Sequence, residues 1–142
     1  MTPWVLLVED SIADRELLQE AWRRSGVGAR LETAGDGCEA YDRLERLVDQ
    51  RRELPVVVLT DLKMPRMDGA ELLRRVRDLK GTRTLPVVVL SSSQEPEDVH
   101  RCYRLGANGF VVKPASGRLG ADALNALATF WVEVNRRPDE VA

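Results

Sequence analysis

The sequence predicts an α/β fold, a parallel sheet of five strands covered by helices on both faces. Five short apolar runs alternate with segments of helical periodicity along the chain. Three of those runs, WVLLV, VVVLT and VVVL, show no polar alternation, the mark of strands buried on both faces. Length bounds the rest: 142 residues, 44% hydrophobic and 31% charged, suffice for one domain with a real core and leave no room for a second. The reading is a single domain over residues 1–142, its core running from 4 to about 136, with RRPDEVA as a frayed tail.

Each element has its own signal. WVLLV (4 to 8) is the first strand. In SIADRELLQEAWRRSG, Leu18 and Trp22 stand one helical turn apart, Ser11 and Asp14 have the spacing of a capping box, and Gly26 is placed to stop the helix. ARLETA (29 to 34) is the second strand. EAYDRLERLV then brings Tyr41, Leu44 and Val48 to one helical face. VVVLT (56 to 60) is the third strand, and AELLRRVRDLK follows with Leu72, Val76 and Leu79 inward. The basic run RRVRDLKGTR (74 to 83) reads as the solvated face of that helix and its exit loop. VVVL (87 to 90) leads to EPEDVHRCYRLG, with Val99, Cys102 and Tyr103 as its apolar face, and GFVV (109 to 112) closes the set of strands. Strand and helix in strict alternation imply right-handed crossovers.

The last helix, ADALNALATFWVEVNRR, has more apolar surface than one sheet face can cover. Asp122, Asn125, Thr129 and Glu133 form a narrow polar stripe, whereas packing needs an apolar arc only roughly 100° wide. The excess is expected to be a contact surface anchored by Phe130 and Trp131; the alternative is that Trp131 folds back onto the domain.

In an open parallel sheet, functional groups collect beyond the carboxyl ends of the strands. The first polar residues there are Glu9 and Asp10 after strand one, Asp61 after strand three, Ser91 after strand four and Lys113 after strand five. If the central strands lie side by side, three carboxylates, a hydroxyl and an ammonium meet at one edge. Crowded carboxylates raise one another's pKa unless a cation compensates them. With oxygen ligands only, and no His or Cys nearby, the expected ion is Mg²⁺, with Mn²⁺ as its substitute. Such an ion opposite Lys113 would hold a phosphoryl group between them, and a carboxylate is an accepted nucleophile toward phosphorus. Asp61, on the middle strand, is the candidate nucleophile.

The segments LLVEDS (6 to 11), LTDLKMPRMDG (59 to 69), PVVVLSSS (86 to 93) and GANGFVVKP (106 to 114) together resemble the receiver domain of bacterial response regulators, the CheY-like fold. The resemblance implies a doubly wound, flavodoxin-like (βα)5 architecture with strand order 2-1-3-4-5. It implies phosphorylation of Asp61 by a sensor histidine kinase, and Mg²⁺ held by Glu9, Asp10, Asp61 and the backbone carbonyl of Lys63. Ser91 and Lys113 take the phosphoryl-binding positions, and Phe110 takes the aromatic switch position. A cis bond between Lys113 and Pro114 is expected. LLVEDSIADRELLQEAW, LPVVVLSSS and FWVEV further resemble the small single-domain regulators that accompany bacterial and cyanobacterial phytochromes, which makes a bacteriophytochrome the candidate donor. The family habit of pairing through the fourth helix, fifth strand and fifth helix implies a homodimer.

Other classes fare worse. A net charge of −2 with scattered signs provides no stripe for DNA. No signal peptide is apparent and no apolar run nears the about 20 residues that span a bilayer, so a cytoplasmic protein without membrane attachment is expected. No DNA-binding domain follows residue 142, so output is expected through protein contact, dimer formation or drainage of phosphate. Cys38 and Cys102 read as helical core or surface residues and not as a disulfide. His100 lacks a second ligand and reads as a surface residue. Gly26 and Gly28 follow a helix, so SGVGAR is a loop and no dinucleotide fingerprint. Asp68 and Gly69 read as turn residues without chemistry, and the Lys63 side chain either tunes water access or does nothing. The chain reads as a phosphoacceptor switch, an enzyme only toward its own phosphoryl group. The alternatives are a Mg²⁺-dependent phosphatase with an aspartyl-phosphate intermediate and a scaffold that is never phosphorylated. A haloacid dehalogenase-type phosphatase needs a second Asp two residues after the nucleophile, where Lys63 stands.

Overall fold

The computed structural model describes residues 2–138. Five parallel strands, β1 (Trp4–Val8), β2 (Arg30–Ala34), β3 (Val57–Asp61), β4 (Val87–Ser91) and β5 (Gly109–Val112), form one sheet in the order 2-1-3-4-5. The helices are α1 (Ile12–Ser25), α2 (Gly37–Asp49), α3 (Gly69–Asp78), α4 (Pro96–Arg104) and α5 (Ala121–Ala128). β1, β3 and β4, the runs without alternation, are buried along their whole length, while the edge strands β2 and β5 are only partly covered.

The period of two then sorts the core. Leu6, Val8, Val58 and Val87 point to the face of α2 and α3, where they meet Leu44, Leu72, Leu73 and Val76. Val5, Leu7, Leu59, Val88 and Leu90 point to the face of α1 and α5, against Leu18, Trp22, Leu124 and Ala128. Shortening a fully buried leucine such as Leu44 to alanine costs about 2–5 kcal/mol.

Helix starts are set by short polar side chains. Ser11 Oγ accepts from the Asp14 N–H at 3.2 Å, Asp36 Oδ1 from Glu39 at 2.9 Å, and Asp68 Oδ1 from Glu71 at 2.8 Å. The expected capping box is half present, because the Ser11 N–H donates to Glu9 Oε1 at 3.2 Å and not to Asp14. Gly26 closes α1 with φ +73°, the left-handed turn that favours glycine.

Five expectations need correction. β3 and β4 each run one residue further than the apolar pattern suggests, so Asp61 and Ser91 belong to the hydrogen-bonded sheet. No cis peptide occurs among the described residues, so Lys113–Pro114 is trans, the isomer an X–Pro bond prefers by about 0.5–1 kcal/mol. The last helix is α-helical only to Ala128; Thr129–Val134, rich in β-branched and aromatic residues of modest helix propensity, forms a π-helical turn. Arg77, assigned to a solvated face, instead donates to the carbonyls of Leu85 (2.7 Å) and Gly106 (2.7 Å) and to Asn108 Oδ1 (2.8 Å), tying α3 to the loops that lead into β4 and β5. Tyr103, expected on the inner face of α4, is 50% exposed. Of the tail RRPDEVA, residues 139–142 lie outside the described residues.

Candidate functional site

The site grows from three neighbouring strand ends. β1 pairs with β3 and β3 with β4, and Asp61 lies opposite Leu90, one residue before Ser91. β5 continues the row: the Lys113 N–H donates to the Ser91 carbonyl at 2.7 Å. Pairing beyond β1 persists too, with the Glu9 N–H on the Ala34 carbonyl at 3.0 Å. The backbone ladder thereby carries Glu9, Asp61, Ser91 and Lys113 to one edge, all four buried, while Asp10 is exposed at the rim.

Glu9, Asp10 and Asp61 each offer a carboxylate oxygen, and these atoms lie within 4.8 Å of one another. The Lys113 ammonium reaches between two of the carboxylates, in contact with Asp61 Oδ1 and 3.4 Å from Glu9 Oε2. Electrostatics follow from that crowding. Burial, followed by the hydrogen bond and charge of Asp61, pushes the Glu9 carboxyl up to about 7. Burial opposes the charge on Lys113, but Asp61 and Glu9 outweigh it and hold the ammonium above the ordinary lysine value. One ammonium therefore serves two buried carboxylates. Asp61 Oδ1, although ion-paired, is buried and accepts no aligned hydrogen bond. An all-oxygen donor set, excess negative charge and a buried acceptor with an unused lone pair fit a hard divalent cation.

Ser91 is buried and its Oγ accepts from the Ser93 N–H at 3.0 Å. Phe110 is half-buried on β5 and packs with Leu62, Ala70, Val89 and Cys102 beneath α4. Lys63 lies in the loop after β3 with its side chain exposed, its ammonium 3.8 Å from Asp98 Oδ2 on α4. Phe130 is 45% exposed, whereas Trp131 is half-buried against the cluster that contains Leu124 and Ala128. The two rings meet edge to face with centroids 4.9 Å apart. His100 is exposed on α4. Cys38 and Cys102 are free thiols, and burial pushes the Cys102 thiol up, away from reactivity.

Sequence reasoning missed Asp98 and Ser93. The Ser93 hydroxyl donates to Asp98 Oδ2 at 2.6 Å and accepts the Glu95 N–H at 3.2 Å, so one aspartate holds both the loop after β4 and Lys63. The S-x(4)-D spacing at a helix start was the available signal, weak because many surface loops share it.

Comparison with known proteins agrees with this geometry. Residues 5–125 match the model of the response regulator receiver domain. The chain is 35% identical over 134 residues to the probable methanogenesis regulatory protein FilR2 of Methanothrix harundinacea, covering 94% of this chain and 86% of that one. It is 31% identical over 135 residues to the response regulator Rcp1 of Synechocystis, covering 94% and 92% of the two chains. The Mn²⁺-bound structure of Rcp1 superposes with a TM-score of 0.79 at 30% identity, covering 96% of this chain and 99% of that one. The phosphorylated cyanobacterial phytochrome response regulator RcpA superposes with a TM-score of 0.81 at 31% identity, covering 97% and 99%. A strand order, an acidic edge and relatives that all agree place this protein in the receiver-domain family of two-component response regulators, the CheY-like phosphoacceptor switches, with phytochrome-associated regulators among its neighbours.

Proposed function

We propose that this chain accepts a phosphoryl group on Asp61 from a sensor histidine kinase, of the phytochrome class, with Mg²⁺ bound at Glu9, Asp10, Asp61 and the Lys63 backbone carbonyl. The observation that carries the reading is the approach of three carboxylate oxygens within 4.8 Å beside the Lys113 ammonium. In the transfer, an Asp61 oxygen forms a bond to phosphorus as the phosphorus–nitrogen bond of a phosphohistidine breaks. The imidazole nitrogen keeps the electron pair and takes up a proton. Bound Mg²⁺, or Mn²⁺ in its place, supplies charge neutralisation for the phosphoryl oxygens. Lys113, already seated against Asp61, stays as counter-charge for the product, and Ser91 donates its hydroxyl to a phosphoryl oxygen. Burial of all three groups excludes water from the reacting edge.

Ser91 then draws on the loop after β4, and Phe110 repacks under α4, which shifts the preference of the α4, β5 and α5 surface for a partner. Tyr103 on α4, Val112 on β5 and Phe130 in the π-helical turn that continues α5 are exposed apolar side chains. They suit pairing with a second copy of the chain. Sedimentation of the phosphorylated protein and of Phe130→Asp tests the pairing; a monomer in both would dismiss it. A phosphatase is disfavoured, because the residue two past Asp61 is the exposed Lys63, ion-paired with Asp98, where an acid would be required.

The functional test is transfer from an autophosphorylated histidine kinase of the phytochrome class. The phosphoryl group is expected to move to this chain within minutes and not to Asp61→Asn. Retention on the kinase, for a chain that acetyl phosphate does modify, would reject this class of donor.

A further inference from the structure

At the end of the sheet opposite Asp61, five arginines surround a cavity of about 710 Å³. Trp4 and Arg30, paired across β1 and β2, form its floor at the amino ends of the strands. Arg43 and Arg46 come from α2, and Arg51 and Arg52 from the turn after it. The chain as a whole carries a net charge of −2, so this concentration of positive charge is local.

The two acids that line the cavity, Glu32 and Glu53, are outnumbered by its five arginines. Glu32 is taken up by Arg43 and by Arg30 at 3.2 Å. Glu53 turns its backbone carbonyl to the Trp4 indole N–H at 3.2 Å. Arg43 lies over the Trp4 ring, 5.0 Å from its centroid, and is fixed by that contact and by Glu32. Burial and the nearby charges of Arg30 and Arg46 make its guanidinium less favourable to protonate. Arg46, Arg51 and Arg52 form no ion pair among the described residues. Arginines at the end of α2 complement the helix dipole, which accounts for Arg46 in its last turn. It does not account for Arg30 on a strand or for Arg51 in the left-handed region at φ +53°.

We infer that this cavity binds an oligophosphate, a chain of linked phosphates either inorganic or carried by a nucleotide. Guanidinium groups pair with phosphate oxygens two at a time, so two bidentate pairs already occupy the four oxygens of one orthophosphate. Three unpaired guanidiniums spread around a cavity of nucleotide size match several linked phosphates instead. This site is independent of the carboxylate edge, and the inference does not rest on phosphorylation of Asp61.

Calorimetric titration of the full chain in metal-free buffer with tripolyphosphate, ATP and orthophosphate tests it. Saturable one-to-one binding of tripolyphosphate, far tighter than orthophosphate, is expected, and equal affinity in Asp61→Asn would locate it away from the acidic edge. ATP binding as tightly as tripolyphosphate would identify a nucleotide source; tripolyphosphate alone would identify an inorganic one. The double variant Arg46→Ser with Arg52→Ser removes two exposed side chains without ion pairs, so its melting should be unchanged while affinity falls by about tenfold for each arginine. No saturable binding, equal affinity for orthophosphate, or full affinity in the double variant would overturn the inference.

Discussion

Gly69 and Asp61 are in direct backbone contact: a β-carbon on Gly69 would stand 2.2 Å from the Asp61 carbonyl oxygen. The Gly69 N–H donates to the Leu62 carbonyl at 2.8 Å, and the Thr60 hydroxyl donates to that same Asp61 carbonyl at 2.9 Å. Gly69→Ala must therefore move the end of β3 or the start of α3. The expected cost is about 1–3 kcal/mol of stability, together with weaker Mg²⁺ binding as the Asp61 carboxylate shifts. Thermal melting with and without Mg²⁺ checks both, and a variant indistinguishable from the parent would contradict the close approach.

Lys113 is the only cation in contact with Asp61 and Glu9 among the described residues. Lys113→Ala leaves two buried carboxylates facing each other, at a cost of about 3 kcal/mol at neutral pH. A divalent ion replaces the lost charge, so Mg²⁺ should raise the melting temperature of the variant by more than that of the parent. Equal shifts would mean that Lys113 and the metal do not share one electrostatic task.

Burial and the neighbouring Asp61 push the Glu9 carboxyl up to about 7 in the fold, above its ordinary value of 4.5. A raised carboxyl pKa means that the fold favours the protonated form. Its contribution to stability is present below 4.5 and is lost as the pH climbs through 7. Over that same window the carboxylate becomes available to a cation. The melting-temperature increase caused by Mg²⁺ should therefore be larger at about pH 8 than at about pH 6. An increase independent of pH would remove Glu9 from the metal site.

Asp98 holds the Ser93 hydroxyl at 2.6 Å and the Lys63 ammonium at 3.8 Å, while Ser93 in turn holds Ser91. Asp98→Ala should free the loop after β4 and let Ser91 turn toward the phosphoryl group with less work. Modification by acetyl phosphate is expected to speed up by about 2- to 10-fold, the net worth of one typical intramolecular hydrogen bond. An unchanged or slower rate would show that the contact does not restrain Ser91.

Legibility in the sequence followed burial. β1, β3 and β4 were readable because strands covered on both faces are nearly all apolar, and the charged or hydroxyl residues at their carboxyl ends marked the site. The same rule misplaced the strand ends: Asp61 and Ser91 are polar yet remain in the ladder, because the ladder engages only their backbones while Lys113 pairs with Asp61 and the Ser93 N–H with Ser91. Arg77 was missed because an arginine that caps carbonyls is indistinguishable in sequence from one in solvent. Trp131 was not separable from Phe130 by helical period, because the π-helical turn changes that period and sets one ring against the core and the other in solvent.

Intact mass after incubation with acetyl phosphate, with and without Mg²⁺, beside Asp61→Asn, decides whether Asp61 is the phosphoacceptor. A single added phosphoryl group is expected, one that requires the metal and is absent from the variant. Modification of Asp61→Asn to the same extent, or none of the parent protein with Mg²⁺ present, would contradict it.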